Sequence, residues 1–192
     1  MEKVKKYAED LKKQEKAKDY DQFFDKASEV IKRNLPEAFD LVVSLDPDVY
    51  SVPITYILFS IFTSKETKDK IGIKQIIIFI REFIFRVNVE DLQKSSMYLS
   101  QFFLLVRIFS EFLLPGDSDR LHHKSDSYFP LRIGQPIYGV KALKAVIAKF
   151  GDQFTPVHRY FALLCISAKT YRQALPVISK MVLTGYENGK IV

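Results

Sequence analysis

Two groups of residues in this sequence carry side chains that could do chemistry. The first group pairs His158 with Cys165, a base and a nucleophile, on one predicted helix. A general base must reach the thiol through a hydrogen bond, but two helical turns separate these side chains by about 10 Å. We therefore expect His158 to be a packed core histidine and Cys165 to be a small buried apolar side chain.

The second group resembles a metal site and lies in a polar stretch. It contains His122-His123, flanked by Asp117, Asp119 and Asp126. Adjacent histidines on a loop lack the fixed spacing that is typical of zinc ligands. In addition, the seven glycines never cluster into a phosphate-binding loop, and no spacing singles out a catalytic pair of carboxylates. The sequence therefore predicts no enzymatic activity, no metal and no cofactor.

The composition is typical of a globular protein. Of the 192 residues, 47% are hydrophobic and 27% are charged, which argues against disorder. The single cysteine allows no internal disulfide and favours a reducing compartment, and the N-terminus lacks the apolar core of a signal peptide. The apolar segments 71–87 and 97–114 both contain charged residues, so we interpret them as buried helices and not as membrane spans.

Helix start and stop signals are densest between residues 136 and 176. Pro136 suits a first helical position, and Gly151 follows the last apolar residue as a C-terminal cap. Thr155-Pro156 repeats the start signal, and 168–171 separates one helix from the next. Helices are predicted over about 136–150, 156–168 and 171–183.

Apolar residues at helical spacing predict further helices upstream. They cover 3–33, with a possible break near Asp19, then 36–45, 51–64, 73–87 and 88–114. Ser51 is expected to cap its helix, and Asn88 with Asp91 resembles a capping arrangement. Because no hairpin signal or alternating strand pattern is visible, we predict an all-α fold, a right-handed α-solenoid of antiparallel helix pairs.

The predicted organisation is one helical-repeat domain with four parts. These are a charged N-terminal helix or tail (1–19), the first repeats (20–114), a long polar loop (115–135) and helix pairs with a basic outer face (136–192). The helices 73–87 and 156–168 are apolar nearly all round, so we expect each to be sandwiched between neighbours. Residues predicted to be buried are Ile77, Ile80, Ile84, Phe161, Leu164 and Cys165.

The net charge of +6 lies entirely in the last quarter of the chain. Residues 136–192 contain eight Lys/Arg and two Asp/Glu, so the first 135 residues sum to zero. The candidate partner-binding residues are Lys141, Lys144, Lys149, Arg159, Lys169 and Arg172. A solvated face is the competing interpretation, and a nucleic-acid-binding helical protein is an alternative whose affinity would fall with added salt.

An ordered set of residues after position 136 resembles subunit 3 of the COP9 signalosome. The set comprises Pro136, Gly139, Leu143, His158, Cys165, Ala168, Lys169 and Ala174-Leu175. Upstream, Leu45-Asp46 followed by Tyr50-Ser51-Val52 resembles the first repeat boundary of that subunit. The likeness spans most of residues 20–183.

The resemblance implies a non-catalytic scaffold. The signalosome removes the ubiquitin-like protein NEDD8 from cullins at a zinc metalloprotease centre in a different subunit. The implied partners are other signalosome subunits, with no small molecule and no membrane, and the implied location is the nucleus and the cytoplasm. The alternative within this class is the helical arm of another PCI-type complex, such as the proteasome lid or a translation-initiation complex.

The chain also differs from that family in two respects. The loop 115–135 is longer than expected at this place, and no later repeats or C-terminal winged-helix (PCI) domain follow. We therefore expect an N-terminal fragment or a reduced form of the subunit.

Overall fold

The structure, a computed structural model, describes residues 28, 35–63, 73–115, 134–179, 186–187 and 190–191. These residues form helices α1 (Leu35–Val43), α2 (Ser51–Thr63), α3 (Ile73–Arg86), α4 (Val89–Gln93), α5 (Ser96–Leu113), α6 (Ile137–Lys149), α7 (Pro156–Ser167) and α8 (Tyr171–Ile178). The predicted all-α class is confirmed, while the handedness of the solenoid stays a prediction.

One β element is present among the described residues, and the sequence pattern did not predict it. Strands β1 (Tyr186–Glu187) and β2 (Lys190–Ile191) have two residues each and pair antiparallel. Several predictions fall outside the described residues: the N-terminal helix except Ser28, which is helical, loop positions 116–133 and any extension of α8 beyond 179.

The chain divides into two compact units, Met1–Phe109 and Ser110–Val192. The boundary lies inside α5, which therefore contributes residues to both units. The four-part organisation predicted from the sequence stays a prediction.

In the first unit, α1 packs on α2, and α2 packs on α4. Edge-to-face aromatic contacts connect α3 to α1 and to α5. The ring centroids of Phe39 and Phe79 lie 5.9 Å apart, those of Phe83 and Phe102 lie 6.2 Å apart, and each pair is nearly perpendicular. The fully buried side chains of this core include Leu41, Ile54, Ile57, Leu58, Ile61, Ile80, Phe83, Ile84 and Phe102. The predicted burial of Ile77, Ile80 and Ile84 is confirmed.

Helix α3 is not sandwiched as predicted. Its Ile78 is 61% exposed and its Phe85 is 42% exposed. These two residues lie seven apart and therefore on one side of the helix, opposite the buried stripe. The apolar composition of α3 therefore exceeds what its core-facing side requires.

A polar joint connects the α1–α2 turn to the end of α3. The Arg86 guanidinium bonds Asp46 Oδ1 at 2.6 Å through Nη2 and Asp48 Oδ2 at 3.0 Å through Nε. Beneath it, the buried hydroxyl of Ser51 donates to the carbonyl of Pro47 at 2.6 Å and accepts the backbone N–H of Asn88 at 2.7 Å. Ser51 thus links two chain segments, and its predicted role as a cap of its own helix was wrong.

The predicted single helix from Asn88 to Leu114 is two helices. Asn88 does cap the start, since its side chain accepts the N–H of Asp91 at 3.3 Å. Helix α4 nevertheless stops after Gln93, and α5 begins at Ser96. Lys94 and Ser95 separate the two, and Ser96 is the first residue of α5, in keeping with the preference of serine for helix ends over helix interiors.

Helix α5 is long and apolar enough to cross a membrane, as judged by length and composition alone. The core helix of a soluble protein passes the same test. Phe102, Leu105, Val106 and Phe109 of this helix are fully buried in the fold, and 44% of the helix as a whole is buried. Our interpretation of this segment as a core helix stays a prediction.

In the second unit, α6 packs on α7 and α7 packs on α8. The α6–α7 turn is formed as predicted: Gly151 ends α6 with a φ of 61°, and Thr155 precedes Pro156 at the start of α7. Pro136 lies one position earlier than predicted, as the residue before α6.

The α7–α8 turn closes in the same left-handed way without a glycine. Lys169 adopts a φ of 54°. Its N–H donates to the carbonyl of Ile166 at 3.1 Å, and the N–H of Thr170 donates to the carbonyl of Cys165 at 2.9 Å. This pair of bonds is the Schellman motif, which satisfies carbonyls that the helix end leaves unpaired.

The interior of this unit matches the prediction more closely than its surface does. Phe161, Leu164 and Cys165 are fully buried, as expected. Ile166, however, is 54% exposed, so α7 is amphipathic and is not apolar all round.

Candidate partner-binding surface

The six predicted partner-binding residues all lie in the second unit and all are exposed. Three of them, Lys141, Lys144 and Lys149, lie on α6 opposite its buried face. Arg159 is on the outer side of α7, Lys169 is in the α7–α8 turn, and Arg172 is on α8. Whether these residues bind a partner stays a prediction.

Helix α6 places its lysines outward because its apolar residues recur at a strict helical period. Its buried residues are Gly139, Val140, Ala142, Leu143, Val146 and Ile147. Those positions cover one half of the helical wheel, and the three lysines fall in the other half. The lysine face is therefore a direct product of the local sequence pattern.

Two apolar side chains share the exposed side of α6 with the lysines. Ile137 is 49% exposed and Tyr138 is 52% exposed. Both lie within one turn of Lys141, on the same side of the helix. The surface thus combines positive charge with exposed apolar and aromatic area.

Charge is strongly one-sided in this part of the chain. Residues 134–179 contain six Lys/Arg and a single carboxylate, Asp152, which gives a net charge of 6 − 1 = +5. A surface of one sign attracts segments of the opposite sign and accelerates their encounter with it. Electrostatic attraction to this part of the chain therefore favours acidic segments over basic ones.

His158 has a structural role at the start of α7. It is 6% exposed, and its Nδ1 lies 3.2 Å from the backbone N–H, the hydroxyl and the carbonyl oxygen of Thr155; the N–H donates to Nδ1 when the proton of the neutral ring is on Nε2. Burial lowers the pKa of His158, and the carbonyl oxygen of Thr155, 3.2 Å from Nδ1, opposes that effect because it can accept a proton-bearing nitrogen. The ring of Phe154 lies 5.3 Å from the imidazole, between centroids.

Cys165 is equally enclosed. Its side chain is fully buried, and burial raises the pKa of the thiol, with Thr170 and Lys144 acting in the opposite direction. A buried thiol with a raised pKa is a poor nucleophile. Both residues thus lie where a packed core residue is expected.

No metal site is found among the described residues, since no group of three or more His, Cys, Asp or Glu side chains converges there. The candidate pair His122-His123 lies outside that part of the chain.

The sequence analysis missed one feature of this unit, an exposed apolar stripe on α8. Tyr171, Leu175 and Ile178 are all exposed. The signal was present in the sequence as an i, i+4, i+7 spacing, but such spacing by itself also describes a core-facing helix.

Helices joined by tight turns, with a buried face on each, define a helical-repeat protein. A sequence model of one family matches residues 14–190, and the chain belongs to that family, the N-terminal helical repeats of COP9 signalosome complex subunit 3. The resemblance noted in the sequence is thereby confirmed. Searches of curated proteins and of solved structures gave no match.

Proposed function

We propose that this chain is a non-catalytic scaffold, a protein-interaction arm of the COP9 signalosome. It supports the complex that removes NEDD8 from cullins and so regulates cullin-RING ubiquitin ligases. The observation that carries the proposal is the family match, which extends over residues 14–190 and so includes nearly the whole chain. The proposed partners are other signalosome subunits, and the proposed location is the nucleus and the cytoplasm.

The exposed side of α6 is the proposed docking surface. Lys141, Lys144 and Lys149 supply its charge, and Ile137 and Tyr138 supply apolar area that a partner can cover. Long-range attraction would bring an acidic partner segment to this side, and apolar burial would then slow its release.

Co-purification tests the proposed complex directly. The tagged full chain is expressed in source cells, and its partners are identified by mass spectrometry. We expect signalosome subunits. Capture of proteasome-lid or translation-initiation subunits in their place would assign the chain to another PCI-type complex.

Charge reversal tests the proposed surface. The variant Lys141→Glu/Lys144→Glu/Lys149→Glu is compared with Lys3→Glu/Lys5→Glu/Lys6→Glu, which makes the same change in net charge outside the family match. We expect association with the purified subunits to slow at least tenfold in the α6 variant only. This difference should disappear at high salt, because screening removes the attraction.

A second candidate function, nucleic-acid binding, is favoured by the net charge of +5 over residues 134–179. It predicts that a labelled duplex binds and that the logarithm of its binding constant falls linearly and steeply with the logarithm of the salt concentration. The α6 reversal would then weaken duplex binding and reduce that slope by about three, roughly one for each phosphate that a lysine no longer neutralises. Absence of duplex binding at low salt would eliminate this candidate.

A further inference from the structure

Helix α8 exposes the apolar side that a repeat helix normally buries. Tyr171 is 60% exposed, Leu175 is 70% exposed and Ile178 is 44% exposed. Their i, i+4, i+7 spacing aligns them along one side of α8, next to Ala174, which is the one buried residue of this helix. We call Tyr171, Leu175 and Ile178 the α8 stripe.

The α8 stripe has the form of a helix-packing surface. Rows of residues spaced by three and four along a helix fit into the grooves of a neighbouring helix. Stacked helical repeats bury such rows against the next helix. Here α7 covers the Ala174 side of α8, and the stripe beside it stays open.

The charges around the α8 stripe indicate the sign of its ligand. No carboxylate occurs between residues 153 and 179, while Lys169 and Arg172 are exposed at the start of α8. Arg172 lies on the outer side of the helix, next to Leu175 on the helical wheel. A ligand that covers the stripe would therefore meet positive charge along its border.

We propose that the α8 stripe docks an amphipathic helix of another protein, one whose apolar row is bordered by Asp or Glu. This mode is helix-in-groove recognition, in which residues at i, i+3, i+4 and i+7 anchor the ligand. The proposal goes beyond the α6 surface and stands whether or not that surface binds a signalosome subunit.

Two other occupants fit the charges less well. A second copy of this chain would bring its own Lys169 and Arg172 against those of the first, and such like-charge contacts are unfavourable. An anionic membrane is held by clusters of about four to eight Lys/Arg, whereas α8 and its preceding turn supply two.

A peptide pair tests the proposal. The probe is a fluorescent helical peptide with leucine at i, i+3, i+4 and i+7 and glutamate on both borders. Its partner peptide keeps the leucines and carries glutamine on the borders. Binding to the full chain is measured by fluorescence anisotropy, and circular dichroism and thermal melts confirm that every variant is folded.

Four variants complete the design. Leu175→Gln and Ile178→Gln remove apolar area from the α8 stripe, and Arg172→Gln removes its border charge. Ile78→Gln is the matched control, because Ile78 is 61% exposed and belongs to the first unit.

We expect the acidic peptide to bind at least tenfold more tightly than the glutamine-bordered peptide. Leu175→Gln and Ile178→Gln should each weaken binding of the acidic peptide at least tenfold. Arg172→Gln should reduce the preference for the glutamate-bordered peptide, and Ile78→Gln should bind like the unchanged chain. Equal binding by all variants, or equal binding of both peptides, would overturn the proposal. The proposal would also be overturned if no peptide binds and the α8 stripe instead mediates self-association, measured by sedimentation. Binding of the stripe to phosphatidylserine vesicles without peptide binding would overturn it as well.

Discussion

At the scale of single residues, the turn between α7 and α8 imposes a conformation that its residue disfavours. Lys169 adopts a φ of 54°, in the left-handed region where a side chain costs about 1–2 kcal/mol and glycine costs nothing. Because this position of the Schellman motif favours glycine, we expect Lys169→Gly to raise the free energy of unfolding by about 1 kcal/mol. Urea denaturation of both proteins measures this difference in the free energy of unfolding.

The matched variant for this test is Lys141→Gly, which places a glycine in the interior of α6. It should lower the free energy of unfolding by about 1 kcal/mol, because glycine is a poor helix former. Destabilisation by both variants would contradict the assignment of Lys169 as a helix-ending residue.

His158 makes stability depend on pH. Burial lowers its pKa in the folded state below the value of about 6.5 that it has in the unfolded chain. The unfolded state therefore binds protons more readily, so the contribution of His158 is present in full above pH 6.5. It is lost as the pH falls from 6.5 through the folded pKa.

Replacement of His158 by glutamine tests this effect, since glutamine at this helical position can also accept the N–H of Thr155. Thermal melts between pH 5 and pH 8 should show that His158→Gln loses less stability on acidification than the unchanged chain. The variant His122→Gln/His123→Gln is the control, because it removes the other two histidines of the chain and keeps His158. The same loss in all three proteins would refute this role of His158.

At the scale of helices, Ser51 connects two segments that are distant in sequence. Its buried hydroxyl accepts the N–H of Asn88 at 2.7 Å, and Ser51→Ala would leave that donor without its partner. We expect a loss of about 1–3 kcal/mol in the free energy of unfolding, measured by urea denaturation. Ser60→Ala is the comparison, because Ser60 Oγ bonds the carbonyl of Tyr56 within its own helix and should matter less.

Helix ends were predictable wherever a local signal determines them. Gly151, Thr155-Pro156 and the Asn88–Asp91 cap act within a few residues, so the sequence alone contains their cause. The bond from Ser51 to Asn88 spans 37 positions, and no local pattern encodes it. The break between α4 and α5 was missed because the apolar period continues across it and only the polar residues 94–96 mark it.

At the scale of the whole molecule, burial could be predicted for core-facing positions and not for outward ones. Periodicity shows that Ile77, Phe161 and Leu164 share a side with other apolar residues, and all three are buried. It cannot show whether a second helix covers the opposite side. Ile78 and Ile166 are exposed for that reason, and the α8 stripe escaped prediction in the same way. The all-α class and the basic side of α6 could be predicted from the sequence. The exposure of these apolar residues could be seen only in the structure.

The single buried thiol reports on the opening of the second unit. Cys165 is the one cysteine of the chain and is fully buried. A thiol reagent should therefore react with it slowly in the native protein and rapidly in denaturant. Leu164→Ala removes a fully buried side chain, should cost about 2–5 kcal/mol, and should accelerate the reaction at least tenfold.

Leu175→Ala is the matched variant for this measurement, because Leu175 is 70% exposed. It should leave the reaction rate of Cys165 unchanged. A native rate equal to the denatured rate would show that Cys165 is accessible and would contradict its place in the core.

The two left-handed helix ends also determine how these turns tolerate mutation over evolutionary time. A Cβ at Gly151 would meet no atom within 4 Å, so only backbone strain opposes a larger residue there. Lys169 already occupies an equivalent conformation at the end of α7. Drift from glycine to asparagine at position 151 should therefore be accepted readily, because asparagine visits this region more easily than other side chains do. Related sequences can thus lose the glycine that marks this turn and still keep the turn itself.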